Sequence, residues 1–164
     1  MAPNKFLPHV FVLPEDDQNR EMAVGFEKDY RIKSRVIQVV PIAGGHLKAI
    51  EKLKTEYFPI LESNSNSRII VLIDCDNDAN RIPKILADVP GHLQDRVFVL
   101  GALDEPESLK TALKLSAEKI GEKVADSCFD EKLNFWTHEQ LEHNLAEVRR
   151  LRDRIAKEVF ESWS

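Results

Sequence analysis

The chain of 164 residues has few of the features that mark a protein for an oxidising compartment, a membrane or a polyanionic partner. Its two cysteines, Cys75 and Cys128, make neither a disulfide framework nor a CxxC metal pair, so reduced thiols are expected. The longest apolar stretches, such as His9–Leu13 and Ile69–Ile73, fall far short of the roughly 20 residues that a membrane span requires. The N-terminal stretch carries one lysine and its apolar run is broken by Pro8 and Pro14, unlike a secretory signal with its charged start and continuous apolar core. A cytoplasmic protein without a membrane partner is therefore expected. Basic residues are not in excess either. With 23 Lys and Arg against 28 Asp and Glu, the formal net charge of −5 argues against general polyanion binding, which normally needs a basic face that releases counterions from phosphates.

What the chain does have is an ordinary globular composition, 43% hydrophobic and 31% charged, in a length that suits one domain over residues 1–164. Apolar, β-branched runs at His9–Leu13, Arg35–Val40, Arg68–Ile73 and Asp95–Leu100 read as buried strands. Helical stripes follow them. Met22, Ala23 and Phe26 form the first, with Asp16 or Asp17 as its cap; Leu47, Ile50, Leu53 and Tyr57 form the second; Ile82, Ile85 and Leu86 form a short third. Asp104 with Glu107, and Thr137 with Gln140, have the spacing of capping boxes. The second box would open a long helix carrying Leu141, Leu145, Val148, Leu151, Ile155 and Val159 on one face, packed against the body or against a second copy across a two-fold axis. Near-continuous apolar strands alternating with helices define the α/β class, here a four-stranded parallel sheet flanked by helices, with further helices at the C-terminal end.

In such sheets ligands bind beyond the carboxyl ends of the strands. Glu15 and the run Asp74-Cys75-Asp76-Asn77-Asp78 both stand directly after apolar strands, so the fold brings them to one rim. If the chain stays extended, alternation puts Asp74 and Asp76 on one side, where they repel unless a cation or a shared proton lies between them. Hard divalent cations favour such oxygen ligands. An EF-hand does not fit, because Ala79 stands where its glycine belongs and Ile85 where its bidentate glutamate belongs.

An acidic residue after the first strand and DxD after the third, in a small parallel domain, resembles the Toprim fold of topoisomerases, bacterial primases, OLD-type nucleases and small primase-like RNA maturases. The likeness spans about residues 8–115 and leaves 116–164 as a helical extension. The resemblance implies a nuclease-like, phosphodiester-cleaving enzyme in which Glu15 serves as acid or base. It further implies that Asp74 and Asp76 hold magnesium or manganese, with Asp78 and Asp16 as further candidate ligands. Two departures stand out: Asp16 replaces the glycine that usually follows the glutamate, and Asn19 replaces a second acidic residue. A non-catalytic Toprim-like or Rossmann-like module that binds a nucleotide or a protein partner shares the same pattern.

Gly44-Gly45, before His46, reads either as a phosphate-binding nest at a helix start or as a tight strand-to-helix turn; the absence of a following Lys-Ser/Thr favours the turn. Arg149 and Arg150, with Arg152, Arg154 and Lys157, form a basic cluster that would suit nucleic acid. Glu147, Asp153 and Glu158 interleave with it and favour a solvated, salt-bridged face. His138 and His143 are five apart and share no helix face, and Trp136 and Trp163 read as anchors of the last helix.

Overall fold

The computed structural model describes residues 6–129 and 133–161. Trp163 lies outside the described residues. The strands β1 (His9–Pro14), β2 (Ile37–Val39), β3 (Ser67–Asp74) and β4 (Val97–Ala102) form one parallel sheet in the order β2-β1-β3-β4. The expected α/β class is thus the observed one. Alternation splits the strand side chains between two apolar layers. Phe11, Leu13, Ile69, Val71, Ile73, Val97 and Val99 face α2 (His46–Lys52), α3 (Phe58–Ser63) and α4 (Arg81–Ala87). Val10, Phe98, Leu100 and Ala102 face α1 (Asp17–Glu27), α5 (Pro106–Leu113), α6 (Ala117–Phe129) and α7 (Leu145–Val159). Among the described residues no helix is long and apolar enough to cross a membrane.

From β1 the chain crosses through α1 to β2; it then returns over β1 through α2 and α3 to β3, and passes through α4 to β4. The direction of travel across the sheet reverses between the first crossover and the next two, so crossovers of one hand put α1 on one face and α2 to α4 on the other. The carboxyl ends of β1 and β3, adjacent in the sheet, therefore lead to helices on opposite faces. Such a switch point is where open α/β sheets form their ligand crevice.

On the first of these faces α1 and α6 touch backbone to backbone. A Cβ at Gly25 would overlap the Glu118 carbonyl, and one at Gly121 would overlap the Met22 carbonyl, so only glycine permits this approach. On the opposite face a π-helical turn, Leu53–Tyr57, joins α2 to α3. Its wider turn keeps Ala49, Leu53, Tyr57 and Leu61, spaced by four, in the buried layer. Leu47, expected in that stripe, is instead 78% exposed, because the buried line runs through Ala49.

Neither expected capping box forms. Glu105 occupies the cap position of α5, while the Asp104 carboxylate accepts from the Ser108 hydroxyl at 2.6 Å. Thr137 closes a short 3-10 turn (Asn134–Thr137), and the last helix starts only at Leu145. Its stripe is nonetheless buried within the same chain, at Val148, Leu151, Ile155 and Val159, with Leu141 packed just before the helix. A dimer through α7 would have to use its charged face. Both cysteines are free and buried.

β4 is an edge strand, and a row of side chains bonds four of its outward backbone groups. Asn144 donates to the Gly101 carbonyl and accepts from the Gly101 amide, both at 2.9 Å. Glu147 accepts from the Val99 amide at 2.9 Å, and Arg150 donates to the Val97 carbonyl at 2.5 Å. Three residues along a helix rise about 4.5 Å, whereas two along a strand span about 6.6 Å, and the longer reach of Arg150 covers the accumulated difference. Arg150 also pairs with Glu147 at 2.6 Å and lies 4.3 Å over the Phe98 ring. Replacing Glu147 by Ala leaves the buried Val99 amide without an acceptor, so a loss of roughly 1–3 kcal/mol is expected in urea denaturation. An unchanged midpoint would show that the row does not carry stability.

Candidate functional site

The crevice between β1 and β3 is lined with carboxylates. Glu15 follows β1 directly, and its Oε2 accepts from the Asp74 amide at 2.8 Å, tying the ends of the two strands together. Asp16 caps α1, its Oδ1 accepting from the Asn19 amide at 3.0 Å. The buried Asn19 side-chain amide then spans two carboxylates, donating to Asp16 at 3.1 Å and to Asp74 at 3.0 Å. Glu15, Asp16 and Asp74 thus converge as one group.

Asp76 is placed differently. The chain does not stay extended after β3: Asp76 and Asn77 have φ of 48° and 60°, the left-handed region that Asp and Asn tolerate better than most residues. The alternation expected for Asp74 and Asp76 therefore fails. The Asp76 side chain is 62% exposed and pairs with Arg81 at 3.0 Å, while Arg81 also donates to the Asp74 carbonyl at 2.9 Å. Asp76 still lies close enough to raise the Glu15 pKa. Asp78 turns outward, accepting from the Asn80 amide at 3.0 Å and facing Lys84 at 3.8 Å.

The Gly44-Gly45 turn closes another side of the same rim, with the Gly44 amide donating to the Glu15 carbonyl at 2.9 Å. Both glycines have positive φ, 91° and 145°, and one of their two amides is spent on this tie, which supports the tight-turn reading. His46 follows, its Nδ1 buried without a partner among the described residues, and burial with Arg81 nearby lowers its pKa. Arg149 and Arg150 lie elsewhere. α7 begins beside Gly101, at the carboxyl end of β4, and reaches Val97, at its amino end, by Arg150. Arg150 is committed to the sheet edge, and Arg149, its neighbour on α7, is exposed.

Asn19 and Arg81 emerge as the residues that organise the acids. Asn19 was legible only as the fourth residue after Glu15 in an acidic loop, and Arg81 only as the cation that ends the Asp-rich run. Neither spacing announces that Asn19 reaches Asp74 or that Arg81 turns back on Asp74 and Asp76.

The electrostatics follow from this crowding. Burial raises the Glu15 pKa, with the Asp16 and Asp76 charges adding to it and the bond from the Asp74 amide opposing it. Burial also pushes the Asp74 carboxyl from 3.8 up to about 7, the neighbouring Asp16 and Glu15 adding to the shift and the Asn19 amide opposing it. Asp16 and Asp74 are hard oxygen donors beside one another, and magnesium is commonly held by one or two carboxylates with water completing its shell. Both are oxygen donors of the type that such an ion takes. No group of three or more His, Cys, Asp or Glu among the described residues has the geometry of a complete metal cage, and Asp76 would join only by leaving Arg81. Comparison of the chain with protein-family models, curated proteins and solved structures finds no match.

The sign of the pH dependence follows. Between pH 3.8 and about 7 the folded protein keeps a proton on Asp74 that the unfolded chain has released, so stability falls as pH rises through that window. In metal-free buffer the melting temperature should decline across it, and Asp74→Asn should flatten most of the decline. An identical slope in parent and variant would contradict the assignment.

Proposed function

We propose that this chain is a Toprim-like, divalent-metal-dependent phosphodiesterase acting on nucleic acid or a nucleotide. The observation that carries the reading is the gathering of Glu15, Asp16 and Asp74 at the crevice where strand connections part to opposite faces, the place where open α/β sheets bind ligands. Asp74 and Asp16 would hold magnesium or manganese, with Asp76 joining on release from Arg81. The ion would supply charge stabilisation for the attacking and leaving oxygens of a phosphodiester. Glu15, its pKa raised by burial, would hold or take a proton nearer neutrality than an exposed glutamate does. The tie from the Asp74 amide to Oε2 keeps the Glu15 carboxyl in one orientation. With a net charge of −5, the protein offers a phosphate little attraction unless the cation is bound.

A second reading, a non-catalytic module that binds a nucleotide or a protein partner, is favoured by two observations. Asn19 stands in the second acidic position, and Arg81 already neutralises Asp76. The two readings part in one experiment. Magnesium or manganese at about a hundred times its dissociation constant should stabilise the parent by roughly 2.7 kcal/mol in thermal unfolding. Asp74→Asn should abolish this. The same preparations, incubated with labelled single- and double-stranded DNA and RNA, should cleave only with metal, and Glu15→Gln should remove cleavage while keeping metal binding. Metal binding without cleavage would select the module; a melting curve unmoved by millimolar metal would reject the metal site.

A further inference from the structure

The Asp-rich turn after β3 is hung on the end of β4. The Cys75 amide donates to the Ala102 carbonyl at 3.1 Å, the Asp76 amide to Asp104 at 3.3 Å and the Asn77 amide to Leu103 at 2.6 Å. The Asn77 side-chain amide reaches the Asp104 carboxylate at 3.3 Å. Two consecutive left-handed residues that are not glycine persist only where their surroundings over-determine them, and these bonds are the surroundings.

The end of β4 is in turn held from the C-terminal part of the chain. Leu103 donates its amide to the Gln140 carbonyl at 2.9 Å, and Asp104 donates its amide to the Gln140 side-chain oxygen at 3.1 Å. Asn144 grips both backbone groups of Gly101, and its amide also donates to the Leu141 carbonyl at 3.0 Å. His143 Nε2 lies 2.6 Å from the same Gly101 carbonyl and 3.7 Å from the Cys75 sulfur. The side chains of Gln140, His143 and Asn144 all point at the four residues Gly101–Ala102–Leu103–Asp104 or at Cys75.

We infer that Gln140, His143 and Asn144 are positioning residues of the acidic rim: acting through Gly101–Asp104, they set the left-handed turn at Asp76 and Asn77 and so the place of the Asp76 carboxylate. The segment from 133 onward is then part of the site's construction as well as a cover for one sheet face. The inference rests on the metal-site reading for its consequence, since Asp76 matters chemically only if it meets a ligand, and on hydrogen-bond geometry alone for its structural content.

The test uses the full chain and two variants. Gln140→Met removes the side-chain acceptor from Asp104 at a half-buried position that leaves the core intact, and Asn144→Ala removes the grip on Gly101. Amide hydrogen exchange is measured without metal. Protection at Asp76 and Asn77 should fall about tenfold in Gln140→Met while amides within β1 exchange as in the parent. Manganese affinity, read by calorimetry, should weaken about fivefold, and Gln140→Met should cost nothing further in an Asp76→Asn background. Asn144→Ala should show the larger version of both effects, and where it fails to fold Gln140→Met decides alone. Unchanged protection at Asp76 and Asn77, or protection lost equally throughout β1, overturns the inference. If the parent binds no manganese the functional reading falls, and the exchange measurement still decides the positioning role.

Discussion

An edge strand in a parallel sheet carries backbone amides and carbonyls that cannot be buried unpaired. In this protein the arrangement of the C-terminal half follows from how β4 meets that constraint. Asn144, Glu147 and Arg150 act as a side-chain strand, presenting an amide, a carboxylate and a guanidinium to Gly101, Val99 and Val97 in turn. Their spacing of three fixes which face of α7 looks at the edge, and this leaves Val148, Leu151 and Ile155 to fill the layer behind Phe98 and Leu100. Burying Glu147 is tolerable because Arg150 and the Val99 amide share its charge. The covered edge is also closed to strand addition by another chain.

The same bonded edge reaches the acidic rim. Gly101 marks both the last rung of that row and the start of the segment that supports the Asp-rich turn, so the sheet edge and the acidic rim share one hydrogen-bonded frame. On the other side of the crevice Asn19 does comparable work in a different way. Its amide favours the charged form of Asp74 while the neighbouring carboxylates and burial favour the neutral form, and the opposed effects leave Asp74 near neutrality. Crowding of carboxylates at a strand connection thus moves the titration of Asp74 far from that of a carboxylate dispersed in solvent.

The strands were legible because each apolar run is short, β-branched and followed by a change to helical spacing, and burial on both faces removes polar positions from such runs. The placement of Glu15 and Asp74 on one rim was legible for the same reason, since parallel strands put their carboxyl ends together. Asp76 was not, because extended alternation holds only until the backbone turns, and the turn at Asp76 and Asn77 depends on acceptors at Ala102, Leu103 and Asp104 that no local pattern reveals. The Thr137–Gln140 spacing matched a helix start, yet Gln140 is used to hold Leu103 and Asp104. Leu47 failed as a core residue because the buried line runs through Ala49, Leu53, Tyr57 and Leu61, and Leu47 lies off it.

The class of fold, the identity of the buried strands and the end of the sheet at which acids collect could all be read along the chain, since hydrophobic periodicity and chain direction are local properties. Which acids meet was settled by contacts between distant parts of the folded chain. Asn19 reaches Asp74 across 55 positions, and Gln140 reaches Asp104 across 36. Arg150 was likewise placed by packing: at the amino end of β4 it meets both the Val97 carbonyl and the Glu147 carboxylate. Contacts of that range are chosen by which backbone groups remain unsatisfied once the sheet has formed, and that inventory exists only in the folded chain.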